Sequence, residues 1–274
     1  MRYLCATCGT ILRMSNQTTY TLQTQDLSIG YFHKTGNHVV AKDLSFSLQK
    51  GALVGLVGSN GIGKSTLLRT LCKVQDPLSG KVIINGNSLD SYNFESLAET
   101  LSVVLTEIPA SKNMTVGELV ALGRQPYTNW LGTLTESDKT HIIQALEATE
   151  MLPFKDRKCY ELSDGQLQRA LIARALAQDT PIIILDEPTT HLDIYHRASI
   201  LKLLKTLSKN KTILFSTHEI DLAIQLCDQM VVMTPEKTYF GDPCQLIEQG
   251  CFSALFPKNL IDFDGETGSF RIVK

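Results

Sequence analysis

A glycine-rich stretch that begins at Gly58 constrains the fold of this chain more than any other feature. It reads Gly58-Ser-Asn-Gly-Ile-Gly-Lys64-Ser65 and fits the pattern G-x-x-x-x-G-K-[ST]. The apolar run Ala52–Val57 precedes it, and the helix-like segment Thr66–Cys72 follows it. A strand, a tight glycine turn and a helix in this order present backbone N–H groups to phosphate oxygens, whereas a turn that binds nothing is the simpler alternative. The residues predicted to hold a phosphate chain are Gly58, Ser59, Asn60, Gly61, Ile62, Gly63, Lys64, Ser65 and Thr66.

Two carboxylates follow a second buried strand. The apolar run Ile182–Leu185 leads into Asp186 and Glu187, and the carboxyl ends of parallel strands are where α/β sheets bind ligands. We expect Asp186 and the hydroxyl of Ser65 to hold Mg²⁺, since this ion prefers oxygen ligands. Glu187 is the expected base for the water that attacks a γ-phosphate. In a chain without the glycine loop, a loop cap before Pro188 would be the better interpretation.

The order of strands and helices predicts an α/β fold with two additions. Alternating polar and apolar residues before Leu48 indicate an N-terminal antiparallel β-subdomain. From Ser91 to Gln178, helix-spaced apolar residues follow Ser or Thr caps and indicate an inserted α-helical subdomain. The strand and helix alternation after Pro181 indicates a mostly parallel sheet flanked by helices. We predict a tail over residues 1–19 and one domain over 20–274, with the helical subdomain at about 91–178.

Composition and charge weaken several classes of function. A hydrophobic share of 43% supports a full core. A formal charge of −2, with mixed acidic and basic residues, provides no basic stripe for a nucleic acid backbone. No apolar run approaches the ~20 residues that span a bilayer. Cys5 and Cys8 form a single C-x-x-C without a second pair at metal-ligand spacing, so we expect reduced, mostly buried thiols rather than a zinc site.

The segment Leu162-Ser-Asp-Gly-Gln166 matches the LSGGQ signature of ABC ATPases at all but one position, and the chain resembles that family. Ser163 and Gln166 also have the spacing of a capping box, which presents a helix N-terminus. The resemblance implies that Ser163, Gly165 and Gln166 face ATP bound to a second subunit. Asp164 stands where the family has Gly, and we expect its side chain to point away from the nucleotide.

Other positions match the family in the same order along the chain. Tyr31 corresponds to the aromatic residue that stacks on adenine, Asp193 to the D-loop, and His218 to the switch histidine that acts beside Glu187. Glu107 stands where the family has the glutamine of the Q-loop, which makes it a candidate ligand of Mg²⁺. A single Tyr or His is more often a packing residue, so these assignments depend on the whole series of motifs.

The resemblance also implies partners. ABC ATPases use ATP and Mg²⁺ and close head to tail as homodimers. Here they would bind integral membrane permease subunits, and indirectly a solute-binding protein, at the cytoplasmic face of the inner membrane. The run Thr115–Trp130 is similar to subunits that energise uptake of iron–siderophore complexes, haem or cobalamin. Pro126, Tyr127 and Trp130 are predicted either to border the groove for a permease coupling helix or to pack within the helical subdomain.

Three alternatives remain at this level. A soluble ABC ATPase acting on nucleic acid or ribosomes would show a basic surface, a coiled-coil insertion or tandem cassettes, and the sequence has none of these. A transporter subunit for another solute would share every motif named above. A P-loop GTPase or kinase would leave the signature unexplained, and the guanine-reading N-K-x-D motif does not occur, because Asn210-Lys211 is followed by Thr-Ile.

Overall fold

The computed structural model describes residues 20–34, 36–105, 113–256 and 259–273. Glu107, Cys5 and Cys8 lie outside these ranges, as does the whole of the predicted tail, residues 1–19. The strands are β1 Tyr20–Tyr31, β2 His38–Gln49, β3 Leu53–Gly58, β4 Ser79–Ile84, β5 Asn87–Ser88, β6 Leu101–Val104, β7 Ile182–Leu185, β8 Thr212–Ser216, β9 Gln229–Met233, β10 Thr238–Gly241, β11 Ile261–Asp264 and β12 Ser269–Ile272.

The α-helices are α1 Lys64–Leu71, α2 Phe94–Ala98, α3 Val116–Ala121, α4 Glu136–Ala148, α5 Asp164–Ala177, α6 Ile194–Leu207, α7 Ile220–Leu226 and α8 Pro243–Glu248. Short 3₁₀ helices cover Leu89–Ser91, Leu122–Tyr127, Leu152–Phe154, Cys159–Glu161 and Phe252–Ala254. The chain divides into two compact units, which are residues 1–89 with 217–274 and residues 90–216. Within the described ranges, no helix combines the length and the apolar character that a bilayer crossing requires.

The first unit contains an antiparallel sheet in the order β2-β1-β4-β5. It also contains β3, which pairs in parallel with β9, while β10 pairs antiparallel with β9. All six residues of β3 are buried, as its continuous apolar sequence predicts for a strand covered on both faces. Because α1 begins at Lys64, six residues after Gly58, the glycine loop connects the end of β3 to the N-terminus of a helix.

The second unit contains β6, β7 and β8, which pair in parallel in that order along the sheet. Three of its helices begin at the caps that the sequence predicts. Thr115, Thr135 and Ser163 each cap a helix, and in each case the residue three positions later completes a capping box. The polar cap residues therefore fix where α3, α4 and α5 start.

A buried ion pair joins two segments of the second unit. Nε of Arg124 donates to Oδ1 of Asp138 at 2.8 Å, and the side chains of both residues are almost completely buried. Arg124 also donates to the carbonyl oxygen of Ala177 at 2.8 Å and stacks over the ring of Tyr127 at 4.0 Å. Hydrogen bonds on the guanidinium and the carboxylate make the burial of these charges tolerable.

Candidate functional site

The glycine loop contains two residues with left-handed backbone. Gly61 and Gly63 have φ values of +76° and +111°, in the region that favours glycine. A Cβ atom at Gly63 would overlap the side chain of Val40, whereas at Gly61 it would meet nothing within 4 Å. Glycine at position 63 thus permits close packing on β2, and the space beside Gly61 is open for a ligand.

Lys64 is the first residue of α1 and is buried beneath the loop. Its Nζ donates to the carbonyl oxygens of Gly58 and Ser59 at 2.9 and 3.4 Å. A positive charge is therefore held inside the curve of the glycine loop. Backbone amides, a helix N-terminus and this ammonium group together suit an anion with several oxygens, such as a triphosphate.

Tyr31 lies at the end of β1, within the same unit as the loop. Its hydroxyl is 3.2 Å from Oγ1 of Thr66 in α1, and 42% of the residue is exposed. A tyrosine ring anchored at its hydroxyl beside the loop and open on the other side can stack on a purine base. The structure therefore places Tyr31 beside the first turn of α1, and its stacking on adenine remains a prediction. His218 belongs to the first unit as well, where it is exposed just before α7.

The two predicted acidic residues follow β7 directly. Asp186 is buried, and its backbone N–H donates to the carbonyl oxygen of Val104 at 2.8 Å. Glu187 is partly buried and has a φ of +48°. Its Oε2 accepts a hydrogen bond of 3.0 Å from the hydroxyl of Thr190. The carboxylate of Asp186 and the hydroxyl of Ser65 are each oxygen donors of the kind that Mg²⁺ prefers, and their binding of this ion remains a prediction.

The signature segment forms the N-terminus of α5. The N–H of Gln166 donates to Oγ of Ser163 at 3.3 Å, and the Gln166 side chain accepts from the N–H of Ser163 at 3.1 Å. Gly165 is buried, and a Cβ atom there would lie 2.8 Å from Cδ2 of His196. Glycine is therefore needed because the side chain of His196 packs directly against the first turn of the helix.

Asp193 is connected to this helix end through the same histidine. Its Oδ1 accepts the backbone N–H of His196 at 2.9 Å and lies 2.8 Å from Nδ1 of the His196 ring. These bonds from His196 lower the pKa of the Asp193 carboxyl. The described contact of Asp193 is thus the N-cap of α6, and its contact with nucleotide remains a prediction. Sequence reasoning missed His196, although its position three residues after an N-cap Asp is a usable signal.

A small cavity of about 190 Å³ lies between the first turns of α5 and the segment 187–192. Asp164, Glu187 and His191 are among its lining residues, and Asp164 is exposed. Because Asp164 stands where the family has Gly, this cavity is lined by a second carboxylate besides that of Glu187, the predicted base. His191 has a φ of +65°, so two residues with left-handed backbone bracket the loop after β7.

A groove of about 650 Å³ on the second unit is lined by Phe94, Leu122, Pro126, Arg174 and Gln178, among others. Packing within the helical subdomain, one of the two predictions for the Pro126–Trp130 region, applies to Tyr127, while a groove for a permease coupling helix remains a prediction. Pro126 lines the groove, whereas Tyr127 packs inward and donates from its hydroxyl to the carbonyl oxygen of Gln178 at 2.9 Å. Trp130 is 91% exposed and lines neither the groove nor the core.

Comparison with known proteins decides the family. The family model described as "ABC transporter" matches residues 41–190, which include the glycine loop, the signature and both acidic residues. The chain belongs to the ABC transporter family. The predicted fold class is confirmed with it: an ABC ATPase fold with a P-loop NTPase core, an N-terminal antiparallel β-subdomain and an inserted helical subdomain.

The ABC family members most similar to this chain include import proteins. It is 36% identical to the achromobactin transport ATP-binding protein of Dickeya dadantii, over 86% of this chain and 87% of that protein. It is 38% identical to the iron(3+)-hydroxamate import ATP-binding protein of Bacillus subtilis, over 77% and 78% of the two chains. Among solved structures, cbiO1 of Clostridium perfringens, part of the ABC transporter complex cbiONQ, superposes with a TM-score of 0.73 at 28% identity, covering 85% and 93% of the two chains.

Proposed function

We propose that this chain hydrolyses ATP as the motor subunit of an importer that takes up an iron chelate of the siderophore type. The observation that carries the proposal is the similarity, over more than three quarters of the chain, to ATP-binding proteins named for achromobactin and iron(3+)-hydroxamate transport. Haem and cobalamin, which the sequence also predicts, are the alternative solutes. The chain would act at the cytoplasmic face of the inner membrane, bound peripherally to its permease.

ATP binding is assigned to the first unit. The amides of the glycine loop and the ammonium group of Lys64 would neutralise the phosphates, and the hydroxyl of Thr66 holds Tyr31 where its ring can cover adenine. The open space beside Gly61 supports this assignment, because a cradle for phosphates needs backbone without side chains.

Hydrolysis is assigned to oxygen donors and a base. Ser65 and Asp186 would hold Mg²⁺, which neutralises charge on the phosphates when it is bound. Glu187 would take a proton from the attacking water, and His218 would hydrogen-bond the γ-phosphate. Glu107, the further candidate ligand of Mg²⁺, lies outside the described residues, and its role stays a prediction.

A second copy of the chain would complete each ATP site. Ser163, Gly165, Gln166 and Asp193 are the residues proposed to face nucleotide on the partner copy. ATP would close the homodimer because its phosphates attract both surfaces, and phosphate release would remove that attraction. The groove bordered by Pro126 would then carry the movement to permease subunits that receive solute from a binding protein.

The variant Glu187→Gln tests the hydrolytic part of the proposal. It keeps the hydrogen-bonding shape of the side chain but loses the base, so turnover should fall by about a hundredfold or more while ATP still binds. Incubation with ATP and Mg²⁺ should then accumulate a dimer in size-exclusion chromatography. Glu147→Gln on the exposed face of α4 is the matched control and should behave like the parent chain. Turnover by Glu187→Gln at the parent rate would disprove the assignment of the base.

The solute is tested with the permease that co-purifies with this chain. In proteoliposomes with a solute-binding protein, a ferric siderophore complex should raise the ATPase rate and accumulate inside. Haem and cobalamin are added in parallel reactions. If only haem or only cobalamin raised the ATPase rate, that compound and not an iron chelate would be the solute. If none of the three raised it, the solute would belong to another class.

A further inference from the structure

Ser216, the last residue of β8, contacts both acidic residues with one hydroxyl group. It is completely buried. Its Oγ donates to Oδ1 of Asp186 at 2.6 Å and accepts the backbone N–H of Glu187 at 2.8 Å. The donor direction is fixed, because an ionised carboxylate can only accept and an amide N–H can only donate. One side chain therefore orients two consecutive residues of the predicted site.

Sheet register explains this contact. Strands β7 and β8 run in parallel, with Leu185 opposite Phe215. The residues that follow these two in the sequence, Asp186 and Ser216, are therefore neighbours. On the other side, the backbone of Asp186 is held by the carbonyl oxygen of Val104 at the end of β6. Asp186 is thus held from both neighbouring strands, its backbone N–H by Val104 and its carboxylate by the hydroxyl of Ser216.

Glu187 depends on the same hydroxyl for a different reason. Its φ of +48° is in the left-handed region, which costs a residue with a Cβ on the order of 1 kcal/mol or more. The hydrogen bond that its N–H donates to the buried hydroxyl of Ser216 holds the peptide in this orientation. The direction in which the Glu187 side chain leaves the backbone follows from that conformation.

We propose that Ser216 is a positioning residue for ATP hydrolysis, which fixes the carboxylate of Asp186 for Mg²⁺ and the backbone of Glu187 for its work as the base. The proposal rests on the proposed function, because it assigns Asp186 and Glu187 the roles given there. Ser216 itself touches neither nucleotide nor water in this assignment. A purely structural role, in which the hydroxyl only satisfies the end of the sheet, is the alternative to be separated by experiment.

The matched control is Ser102, a buried serine on β6 in the same unit. Its Oγ accepts a hydrogen bond from Oγ1 of Thr180 at 3.0 Å and, within the described residues, makes no hydrogen bond to Asp186 or Glu187. Ser216→Ala and Ser102→Ala each remove one buried hydroxyl from a strand of one sheet. Both should lower the unfolding temperature, and Ser216→Ala should lower it more, since it loses two hydrogen bonds, one of them to a carboxylate, whereas Ser102→Ala loses one between neutral groups.

Three measurements separate positioning from structure: kcat and KM for ATP, binding of Mn²⁺ in the presence of ATP by electron paramagnetic resonance, and binding of a fluorescent ATP analogue in EDTA. Ser216→Ala should lower kcat and weaken Mn²⁺ binding by about tenfold each, since the lost bond is to a charged group. Analogue binding in EDTA should stay within about twofold of the parent, because the glycine loop is unaltered. Ser102→Ala should keep parental kcat and Mn²⁺ binding.

Equal kcat and equal Mn²⁺ binding in Ser216→Ala and Ser102→Ala would overturn the proposal. If Ser216→Ala does not fold, Ser216→Cys replaces it, since a thiol fills the same position with much weaker hydrogen bonds. Parental kcat and Mn²⁺ binding in Ser216→Cys would equally overturn it. A parent chain that hydrolyses no ATP would instead refute the proposed function, so the two failures can be told apart.

Discussion

The helices α1 and α5 are both predicted to point an N-terminus at ATP, yet their ends are constructed differently. At α1, the N-cap is Gly63, no side chain of the described residues caps the helix, and the first turn contains no acidic residue. At α5, Ser163 caps the helix, Gln166 bonds back to it, and Asp164 lies in the first turn. The N-terminus of α1 therefore has no side-chain cap from the described part of the chain, while the N-terminus of α5 is stabilised by its own side chains.

This difference matches two kinds of binding. A helix end without side-chain caps and without negative charge favours an anion strongly, because the ligand takes the place of the cap. A self-capped helix end is stable without a ligand and gains less from one. We infer that α1 supplies most of the affinity for ATP within one chain and that α5 contributes when two copies meet.

Lys64→Ala should have the largest effect on the ATP affinity assigned to α1. It removes the ammonium group that lies inside the loop at 2.9 Å from the Gly58 carbonyl oxygen. ATP binding to the isolated chain should weaken by about a hundredfold, the range of a charge-assisted hydrogen bond to phosphate. Isothermal titration with ATP and Mg²⁺ measures it, with the exposed Lys139→Ala on α4 as control. Parental affinity in Lys64→Ala would show that the loop is not the main phosphate site.

The N-terminus of α4 is a third helix end for this comparison. Its capping box includes the carboxyl group of Asp138, and no ligand is predicted there. Hydrogen bonds from Thr135 lower the pKa of Asp138 to about 2, and Arg124 adds to the effect. Because the folded pKa is below the unfolded value, the stabilisation is complete above the unfolded pKa and is lost as pH falls toward about 2. It should amount to about 2 kcal/mol of the free energy of unfolding.

Urea unfolding of the parent and of Asp138→Asn at several pH values measures that contribution. The gap between the two proteins should be widest near neutral pH, should narrow below about pH 4 and should nearly close as the pH falls to about 2. Ser163→Ala, which alters a cap made of neutral groups, should show a gap that does not vary with pH. A constant gap for Asp138→Asn would contradict the assignment of the charged cap.

Ser163→Ala tests α5 directly. Losing the capping hydroxyl should cost about 1 kcal/mol of stability and, if the helix end contacts ATP on a partner copy, should lower the ATPase rate by about tenfold. ATP binding to the isolated chain should not change. Thr115→Ala removes the same kind of cap from α3 and should lose stability without losing ATPase activity. Equal ATPase rates in these two variants would make the α5 cap purely structural.

Asp164→Asn should have the smallest effect. Asp164 shares a cavity with Glu187, and its negative charge lies at a helix end that is proposed to face phosphates. Removing the charge should tighten ATP-dependent dimerisation of the Glu187→Gln background by about twofold to threefold at low salt, and less at high salt. Analytical ultracentrifugation at two salt concentrations measures this. Weaker dimerisation would mean that Asp164 makes a favourable contact instead.

Local sequence patterns predicted most of the elements that form the site. The continuous apolar run before Gly58 is β3, and the Ser163–Gln166 spacing is a capping box in the structure. These features depend on residues close together in the sequence, which is why period and cap rules identify them. Those rules do not identify the fold class by themselves. The family motifs identified it, and the matching family model covers residues 41–190.

Features that depend on which strands are neighbours were not predicted. Ser216 meets Asp186 because β8 lies beside β7, and a strand pattern does not contain the strand order. The burial of Arg124 and Asp138 was also missed, because charged residues are expected at the surface unless their partners in the fold are known. Left-handed backbone at Glu187 has no sequence signal either, since glycine would be the usual residue there.

The grip of Arg124 and Tyr127 on the C-terminal end of α5 has a mechanical consequence. These side chains hold the carbonyl oxygens of Ala177 and Gln178, and Gln178 borders the groove on the second unit. With 14 residues, α5 is about 21 Å long, and its opposite end is the signature segment. A force that the proposed permease applies at the groove would therefore be transmitted along one continuous helix to the signature segment. No flexible loop within α5 would absorb the movement before it reaches the proposed ATP contact.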